Sequence, residues 1–220
     1  MITERLPRSL AQLQQRVHSA PPLSSIQETL RLFQGVAPNP PRLPPAHKRL
    51  RSAAVSLIFA QTQDDAPIEL LVIQRAARKG DPWSGHMGLP GGRRDPEDAS
   101  LLDTAIRETG EEIGISLAPH QALAALPAHF AGGNLRKMLW VHPFLFGLSH
   151  KPTLQPNREV ADALWIPLAQ LYDPTARGWM RYPWRGLSLP FPCIRYQGRL
   201  IWGLTLRILQ TLGASVLLSS

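Results

Sequence analysis

Three glutamates near the middle of the chain have the spacing of a metal-binding helix face. Glu108, Glu111 and Glu112 stand at positions i, i+3 and i+4, so a helix would project their carboxylates from one side. Like charges at this spacing destabilise a helix by about 0.2–0.5 kcal/mol per pair. A bound hard cation such as Mg²⁺ would make this clustering of carboxylates favourable, because it binds the oxygens of carboxylates and phosphates. The other interpretation is a solvated acidic face that Arg107 partly neutralises.

A glycine turn and a capped helix are predicted to present these carboxylates. Pro90-Gly91-Gly92 predicts a tight turn before the helix. Asp98 or Ser100 can cap the helix N-terminus, with Asp103 three residues after Ser100, and Gly114 can end the helix. The remaining positions supply an apolar side that would leave the glutamates opposite: Leu101, Leu102, Ala105, Ile106 and Thr109.

The segment from Arg107 to Ile115 resembles the second half of the Nudix hydrolase box, G-x(5)-E-x(7)-R-E-U-x-E-E-x-G-U, where U is apolar and Thr109 fills the first apolar slot. The first half departs from the box. The position separated from Arg107 by seven residues is Ala99 rather than a glutamate, and counting forward from Gly92 reaches Asp98, which leaves one residue too many before Arg107. This longer form, Gly-Gly-Arg-Arg-Asp-Pro-Glu-Asp here, resembles the coenzyme A pyrophosphatase branch of the family.

Two later segments extend the resemblance, and one earlier segment departs from it. The stretch 157–168 is similar to the family's E-V-x-x-x-x-W-x-P-L segment, and Ile201-Trp202-Gly203-Leu204-Thr205 is similar to the I-W-G-x-T start of the last helix in the coenzyme A branch. Before the box, the branch has H-x-G-x-V-x-F-P-G-G, and here Trp83 stands in place of the histidine. The chain therefore resembles a variant of that branch.

The resemblance implies an α/β fold, the Nudix α/β/α sandwich with a mixed sheet. It also implies a metal-dependent pyrophosphohydrolase, in which water attacks one phosphorus of a P–O–P bridge with Mg²⁺ or Mn²⁺ as cofactor. Glu108, Glu111 and Glu112 would be the metal ligands, and Arg107 would orient a glutamate through a bidentate pair. One of the three glutamates, or Glu159, would act as general base.

The implied partner is a small nucleotide, with coenzyme A or an acyl derivative as the leading substrate. The candidate substrate-binding residues surround the box: Gly91, Gly92, Arg75, Arg93, Arg136, Trp83 and His86. Trp83 would stack on adenine or simply pack in its loop, and His86 would contact a phosphate or be an ordinary loop histidine. The alternatives are another nucleoside diphosphate derivative, such as ADP-ribose or a (deoxy)nucleoside triphosphate, and a non-catalytic nucleotide- or RNA-binding module.

Composition bounds these interpretations. The net charge is +8, but the basic residues are scattered without a run of five, which argues against a nucleic-acid tail. A single cysteine, Cys193, excludes an internal disulfide framework and fits a reducing compartment. The N-terminus has no signal pattern, and the apolar stretch 201–218 is interrupted by polar residues, so we expect a cytoplasmic protein without a membrane span.

Two regions are predicted. Residues 1–50 form a helical N-terminal arm with a proline-rich linker, and residues 51–220 form the Nudix hydrolase domain. Apolar stripes in the arm, beginning with Leu6, Leu10, Leu13 and Val17, would bury against the domain's own surface, and a homodimer is the alternative. Strands are predicted at 53–60, 68–74, 122–128 and 138–148, and a last helix from Ile201.

Overall fold

The computed structural model describes residues 6–19, 51–63, 65–80, 83–131, 139–184 and 186–214. The remainder of the predicted arm after residue 19, including its proline-rich linker, and the loop that contains Arg136 lie outside these residues. The helices in the described part are α1 (Leu10–Ser19), α2 (Leu101–Ile113), α3 (Leu168–Leu171) and α4 (Gly203–Leu212). The strands of the larger sheet are β1 (Arg51–Ala60), β2 (Glu69–Arg75), β3 (Met87–Gly88), β4 (Gly91–Arg93), β5 (Ala122–Ala125), β6 (His129–Ala131), β7 (Leu139–Leu148) and β8 (Val160–Pro167).

The larger sheet is mixed, as predicted. Strand β1 runs parallel to β7 along its whole length, whereas β2 pairs antiparallel with both β1 and β8. Only the ends of β1 and β2 nearest their connection pair with each other, at Phe59↔Leu70 and Ala60↔Glu69. Beyond that point, β3 pairs with β2 and β4 pairs with β1. The glycine turn therefore enters the sheet between two strands that have separated.

Helices cover both faces of this sheet, which confirms the predicted α/β/α sandwich. Side chains alternate along β1, so Leu57 and Phe59 join the cluster beneath α1, α3 and α4, while Ala54 and Ile58 join the cluster beneath α2. Both clusters consist of fully or nearly fully buried aliphatic and aromatic side chains. Helix α2 is thereby held against the sheet on the side opposite the other three helices.

A pair of hydroxyls lies inside the cluster beneath α2. Thr109 Oγ1 is 2.8 Å from Ser56 Oγ, and the carbonyl oxygen of Ala105 accepts from the two hydroxyls at 2.7 and 3.2 Å. Both side chains are fully buried. Thr109 is the residue that fills an apolar slot of the box, and Ser56 on β1 gives its hydroxyl a partner there.

Helix α1 packs on the domain of its own chain. Leu13 is fully buried in the cluster that contains Leu209 of α4, and Leu6 is buried with it. The side chain of Gln61, which follows β1, accepts from the amide of Leu10 at 3.0 Å and donates to the carbonyl of Arg8 at 2.9 Å. The boundary at residue 50 stays a prediction, and the first helix contributes to the core beyond it.

A second sheet, which the sequence did not predict, follows α3. It consists of the antiparallel strands β9 (Arg177–Trp184), β10 (Leu187–Tyr196) and β11 (Arg199–Trp202). The sequence does not suggest strands here because it contains prolines at 183, 190 and 192, and a proline has no amide hydrogen to donate to a neighbouring strand. Pro190 and Pro192 lie where β10 pairs with β9 alone, since pairing with β11 begins at Cys193. Their open side tolerates the missing amide.

Two predicted element boundaries are wrong. Ile201 and Trp202 do not begin the last helix; they end β11, and α4 starts at Gly203, whose φ is 62°. The predicted strand at 122–128 ends earlier than predicted: β5 stops at Ala125, before Pro127, and a separate strand, β6, begins only at His129. Within the part of the chain that the structure covers, no helix combines the length and apolarity needed to cross a bilayer.

Candidate active site

The N-terminus of α2 is closed by residues of its own first turn. Ser100 Oγ accepts from the amide of Asp103 at 3.2 Å, and Asp103 Oδ2 accepts from the amide of Ser100 at 2.8 Å. This is the predicted capping box. At the other end Gly114 has φ 72° and ends the helix, as predicted.

Asp98 is buried and forms an ion pair with Arg107 instead of capping the helix. Arg107 Nε and Nη2 donate to Asp98 Oδ1 and Oδ2, both at 2.9 Å. Asp98 also accepts from Thr104 Oγ1 at 2.8 Å and from the amide of Asp95 at 2.9 Å. The Arg107 guanidinium holds the pKa of the Asp98 carboxyl well below its usual range, against the opposing effect of burial.

The sequence predicted that Arg107 forms a bidentate pair with a glutamate. This prediction is wrong, because the partner in the bidentate pair is Asp98. Asp98 presents both oxygens to the flat guanidinium, whereas the glutamates on the same helix approach a single nitrogen. Arg107 Nη1 lies 3.1 Å from Glu108 Oε1 and 3.2 Å from Glu111 Oε2. Arg107 thus links the loop before the helix to two of the three glutamates.

The three glutamates do not share one solvated face. Glu111 leaves 57% of its side chain exposed and Glu108 leaves 18%, while Glu112 is buried with 4% exposure. Glu112 lies seven residues after the buried Ala105, nearly two full turns, so it falls on the apolar side of α2. The prediction that all three glutamates face away from that side is wrong for Glu112.

Glu112 is held in the interior by the glycine turn. Its Oε2 accepts from the amide of Gly91 at 2.9 Å. Burial raises the pKa of Glu112 to about 7, although the Gly91 amide and the charge of Arg75 oppose the shift. Burial also raises the pKa of Glu108, with Arg107 opposing. Two carboxylates with raised pKa values therefore lie beside one another at this turn.

Both glycines of the turn are required by close approach. A Cβ on Gly92 would lie 2.3 Å from the Glu108 carboxyl carbon, and a Cβ on Gly91 would lie 2.2 Å from the carbonyl oxygen of Ala54. Gly91 also has φ 146°, which L side chains rarely adopt. The backbone of β4 thus lies directly against the carboxylates of α2.

These donors fit a hard divalent cation. Glu108 and Glu112 supply carboxylate oxygens that are costly to ionise when buried, and a bound cation would offset that cost. Glu111, the third predicted ligand, turns toward Arg107. Among the described residues, no three His, Cys, Asp or Glu side chains already surround a single point.

A distant segment closes the C-terminus of α2. The amide of Asn157 donates to the carbonyl of Glu112 at 2.8 Å, and Asn157 Nδ2 donates to the carbonyl of Glu111 at 2.8 Å. The amide of Gln155 donates to the carbonyl of Ile113 at 2.8 Å. The sequence gives no sign of these roles of Asn157 and Gln155, because no local pattern marks a residue that caps a helix more than forty positions away.

The same segment brings Glu159 to the site. Its amide donates to Asn157 Oδ1 at 2.7 Å, and its carboxylate lies 3.5 Å from Arg78 Nη1 with 40% of the side chain exposed. The Glu159 charge is also one of the lesser causes that raise the pKa of Glu112, after burial. The charges of Glu159 and Arg75 therefore both act on Glu112, in opposite directions.

The other predicted substrate-binding residues differ in how close they lie to the glutamates of α2. The carbonyl of Arg93 accepts from Arg107 Nη2 at 3.2 Å, while Trp83 is 40% exposed on the loop before β3. The ring of His86 packs edge-on against Trp202 with ring centroids 4.7 Å apart, so it contributes to an aromatic cluster with the second sheet. Arg136 lies outside the described residues.

A cavity of about 360 Å³ lies elsewhere, between α4 and the strands β9 and β10. Leu206, Leu209, Trp179 and Ile194 are among the side chains that line it, and none of the predicted site residues does. The candidate active site is instead the acidic centre, formed by Glu108, Glu111, Glu112 and Glu159, where the glycine turn, α2 and the segment 157–159 meet.

The family of the chain follows from comparison with known proteins. The family model described as NUDIX domain matches residues 49–185, more than half of the chain. An uncharacterized Nudix hydrolase, NudL, from Photorhabdus laumondii subsp. laumondii is 33% identical over 184 residues, which cover 80% of this chain and 92% of that protein. The human mitochondrial coenzyme A diphosphatase NUDT8 is 28% identical over 169 residues, covering 73% and 68% respectively.

Two further likenesses bear on length and fold. An uncharacterized protein of Schizosaccharomyces pombe is 40% identical over 152 residues, which cover 61% of this chain but only 46% of that protein. The crystal structure of a MutT/nudix family protein from Enterococcus faecalis superimposes with a TM-score of 0.53 at 16% identity, covering 94% of this chain and 73% of that one. The chain belongs to the NUDIX family and is a Nudix hydrolase.

Proposed function

We propose that this Nudix hydrolase cleaves the diphosphate of coenzyme A or acyl-coenzyme A, giving 3′,5′-ADP and a phosphopantetheine. The longer first half of the box, from Gly91 to Asp98, supports this substrate, as does the activity of the human relative, a coenzyme A diphosphatase. The segment Ile201–Thr205 adds support from the far end of the domain.

One observation carries the mechanism: Glu108 and Glu112 face the Gly91-Gly92 turn with pKa values raised by burial. We assign Glu108, Glu111 and Glu112 to hold the divalent cation, with Arg107 as the residue that orients Glu108 and Glu111. Nudix hydrolases generally use Mg²⁺ or Mn²⁺, which when bound neutralises phosphate oxygens and lowers the pKa of bound water. The exposed backbone of the turn and the cation of Arg75 would receive the substrate phosphates.

Glu159 is our candidate for the general base. It reaches the acidic centre from outside α2, and its carboxylate contacts Arg78 at 3.5 Å, longer than a hydrogen bond. The carboxylates of Glu108 and Glu112, by contrast, bond to Arg107 and to the Gly91 amide. Glu159 would take the proton of the water that attacks one phosphorus, while the P–O bond on the far side breaks and the second phosphate leaves as an anion.

Two alternatives share parts of this evidence. The same acidic centre would serve another nucleoside diphosphate derivative, such as ADP-ribose or a (deoxy)nucleoside triphosphate. A nucleotide- or RNA-binding role is supported by the net charge of +8 and would not need the glutamates. The single buried cysteine, Cys193, supports a cytoplasmic setting, and a homodimer stays a prediction that a mass measurement in solution would test.

Product analysis tests the proposal. The protein is incubated with Mg²⁺ or Mn²⁺ and, separately, with coenzyme A, acetyl-coenzyme A, ADP-ribose and a nucleoside triphosphate, and the products are identified by mass. We expect 3′,5′-ADP from coenzyme A or its acetyl ester, lost in Glu111→Gln and retained in Glu97→Gln, which changes an exposed carboxylate. Turnover of ADP-ribose or the triphosphate alone would reject the substrate and keep the chemistry.

A further inference from the structure

Asn157 contacts the backbone of three of the residues that we assign to the acidic centre. Its amide nitrogen and its Nδ2 donate to the carbonyls of Glu112 and Glu111, each at 2.8 Å, and its Oδ1 accepts from the amide of Glu159 at 2.7 Å. We propose that Asn157 is a positioning residue that holds Glu159 beside Glu112, an inference that rests on the proposed function. The bridge joins the helix that carries the metal ligands to the segment that carries the candidate base.

The carboxamide suits this bridge because it donates and accepts at the same time. The last carbonyls of a helix lack partners within the helix, so the Nδ2 group satisfies an acceptor that would otherwise need water. The Oδ1 atom on the other side fixes the amide of Glu159. An aspartate would lose the donor, and an alanine would lose both contacts.

Glu159 has a second anchor on the strand side. The amide of Ala76 donates to the carbonyl of Glu159 at 2.8 Å, and Val160, buried at 6% exposure, begins β8 opposite Arg75 of β2. The backbone of Glu159 is thus fixed from the end of β2 and from the end of α2 through Asn157. Removing the Asn157 side chain would leave the strand anchor, so the fold would persist while Glu159 gained freedom relative to Glu112.

Gln155 provides a matched control. It supports the same helix end, since its amide donates to Ile113 at 2.8 Å and its side chain lies against Gly114. Among the residues that the structure describes, Gln155 forms no hydrogen bond or ion pair with Glu159. Gln155→Ala keeps the backbone bond to Ile113 and removes only the side chain beyond Cβ, so it reproduces the truncation of a side chain at this helix end without altering the position of Glu159.

The test is a double-mutant cycle with two readouts. Asn157→Ala, Glu159→Gln and the double variant are compared with the wild type for turnover of coenzyme A with Mg²⁺. The same four proteins are titrated with Mn²⁺ alone, with free Mn²⁺ counted by electron paramagnetic resonance. Gln155→Ala is carried through both measurements, and circular dichroism checks that every variant is folded.

We expect Asn157→Ala to lower kcat by about tenfold to a hundredfold with KM changed less than about threefold, and to weaken Mn²⁺ binding by about tenfold. In the Glu159→Gln background both effects should shrink below about twofold, because the general base and its negative charge near the cation are then already lost. Equal losses in both backgrounds, an equal loss in Gln155→Ala, or no loss at all would overturn the positioning role. If the wild type leaves coenzyme A intact, the proposed substrate fails, and the Mn²⁺ cycle decides the role of Asn157 independently.

Discussion

The two ends of α2 are closed in different ways. At the N-terminal end, Ser100 and Asp103 cap the helix from within three residues of each other. At the C-terminal end, the carbonyls of Glu111 and Glu112 are satisfied by Asn157, 46 positions away from Glu111. The local end stabilises the helix, whereas the distant end assembles the candidate site. The sequence can therefore reveal the motif on α2 without revealing the distant contacts that complete the candidate site.

The ionisable groups at the two ends are perturbed in opposite directions. Toward the N-terminal end, Arg107 lowers the pKa of Asp98, so its charge stabilises the fold. Toward the C-terminal end, burial raises the pKa of Glu112 to about 7, so its charge opposes folding until a cation is bound. The first arrangement is structural, and the second is typical of a functional site.

The largest effect should follow from removing the charge of Glu112. We expect Glu112→Gln to lower kcat by about a thousandfold or more, because a predicted metal ligand is lost while the shape of the side chain is kept. Steady-state kinetics on whichever substrate is turned over measures it. A variant with near wild-type turnover would show that the C-terminal end does not carry the chemistry.

The pH dependence of stability without divalent metal sharpens the contrast. Glu112 has a pKa of about 7 in the folded protein against an ordinary 4.5, which corresponds to roughly 3 kcal/mol. Its contribution is fully favourable below pH 4.5 and is lost as the pH rises through 7. Urea unfolding in chelator from pH 5 to 8 should therefore show a fall in the free energy of unfolding that Glu112→Gln removes. The same fall in the variant would contradict this assignment.

Asp98→Asn probes the opposite kind of group. Replacing the charge weakens the bidentate pair with Arg107 and should lower the free energy of unfolding by about 2 kcal/mol at neutral pH. The difference should diminish as the pH falls below 3.8, because the wild-type Asp98 is then protonated in the unfolded state and its advantage declines. Asp95→Asn, which alters an exposed carboxylate in the same loop, serves as control. Equal destabilisation by the two changes would remove the special role of Asp98.

Ser100→Ala should give the smallest effect and touches the local end alone. Loss of an N-cap hydroxyl costs about 1 kcal/mol, so thermal unfolding should occur a few degrees lower. We expect kcat and KM to stay unchanged, since Ser100 contacts Asp103 and Thr104 rather than the glutamates. A fall in kcat comparable with that of Asn157→Ala would abolish the distinction between the two ends.

The parts of the molecule that the sequence predicted are those that short-range physics determines. The helix with its cap and its terminal glycine depends on residues within a turn of each other. The buried strands depend on runs of apolar side chains, so β1, β2 and β7 were placed within about two residues. The sandwich and its mixed sheet came from the resemblance, and the structure agrees with them.

What the sequence did not predict depends on contacts between distant residues. The buried carboxylate of Glu112, on α2, depends on the amide of Gly91 in strand β4. The role of Asp98 depends on the guanidinium of Arg107, nine positions away. The proline-containing strands β9 and β10 were missed, because whether a proline is tolerated depends on which neighbour lies beside it. Asn157 has no local signature at all.

Because the hydroxyls of Ser56 and Thr109 pair with each other, the residue at position 109 of the box depends on a residue outside the box. Exchanging Thr109 for the valine or isoleucine of an ordinary apolar slot would add a methyl group against β1 and deprive Ser56 of its neighbour. Exchanging Ser56 for alanine at the same time would open room and remove a hydroxyl that has lost Thr109 and keeps only its bond to the Ala105 carbonyl. The two positions should therefore tolerate replacement as a matched couple better than singly, which ties the choice of residue in the motif to a strand more than fifty positions earlier.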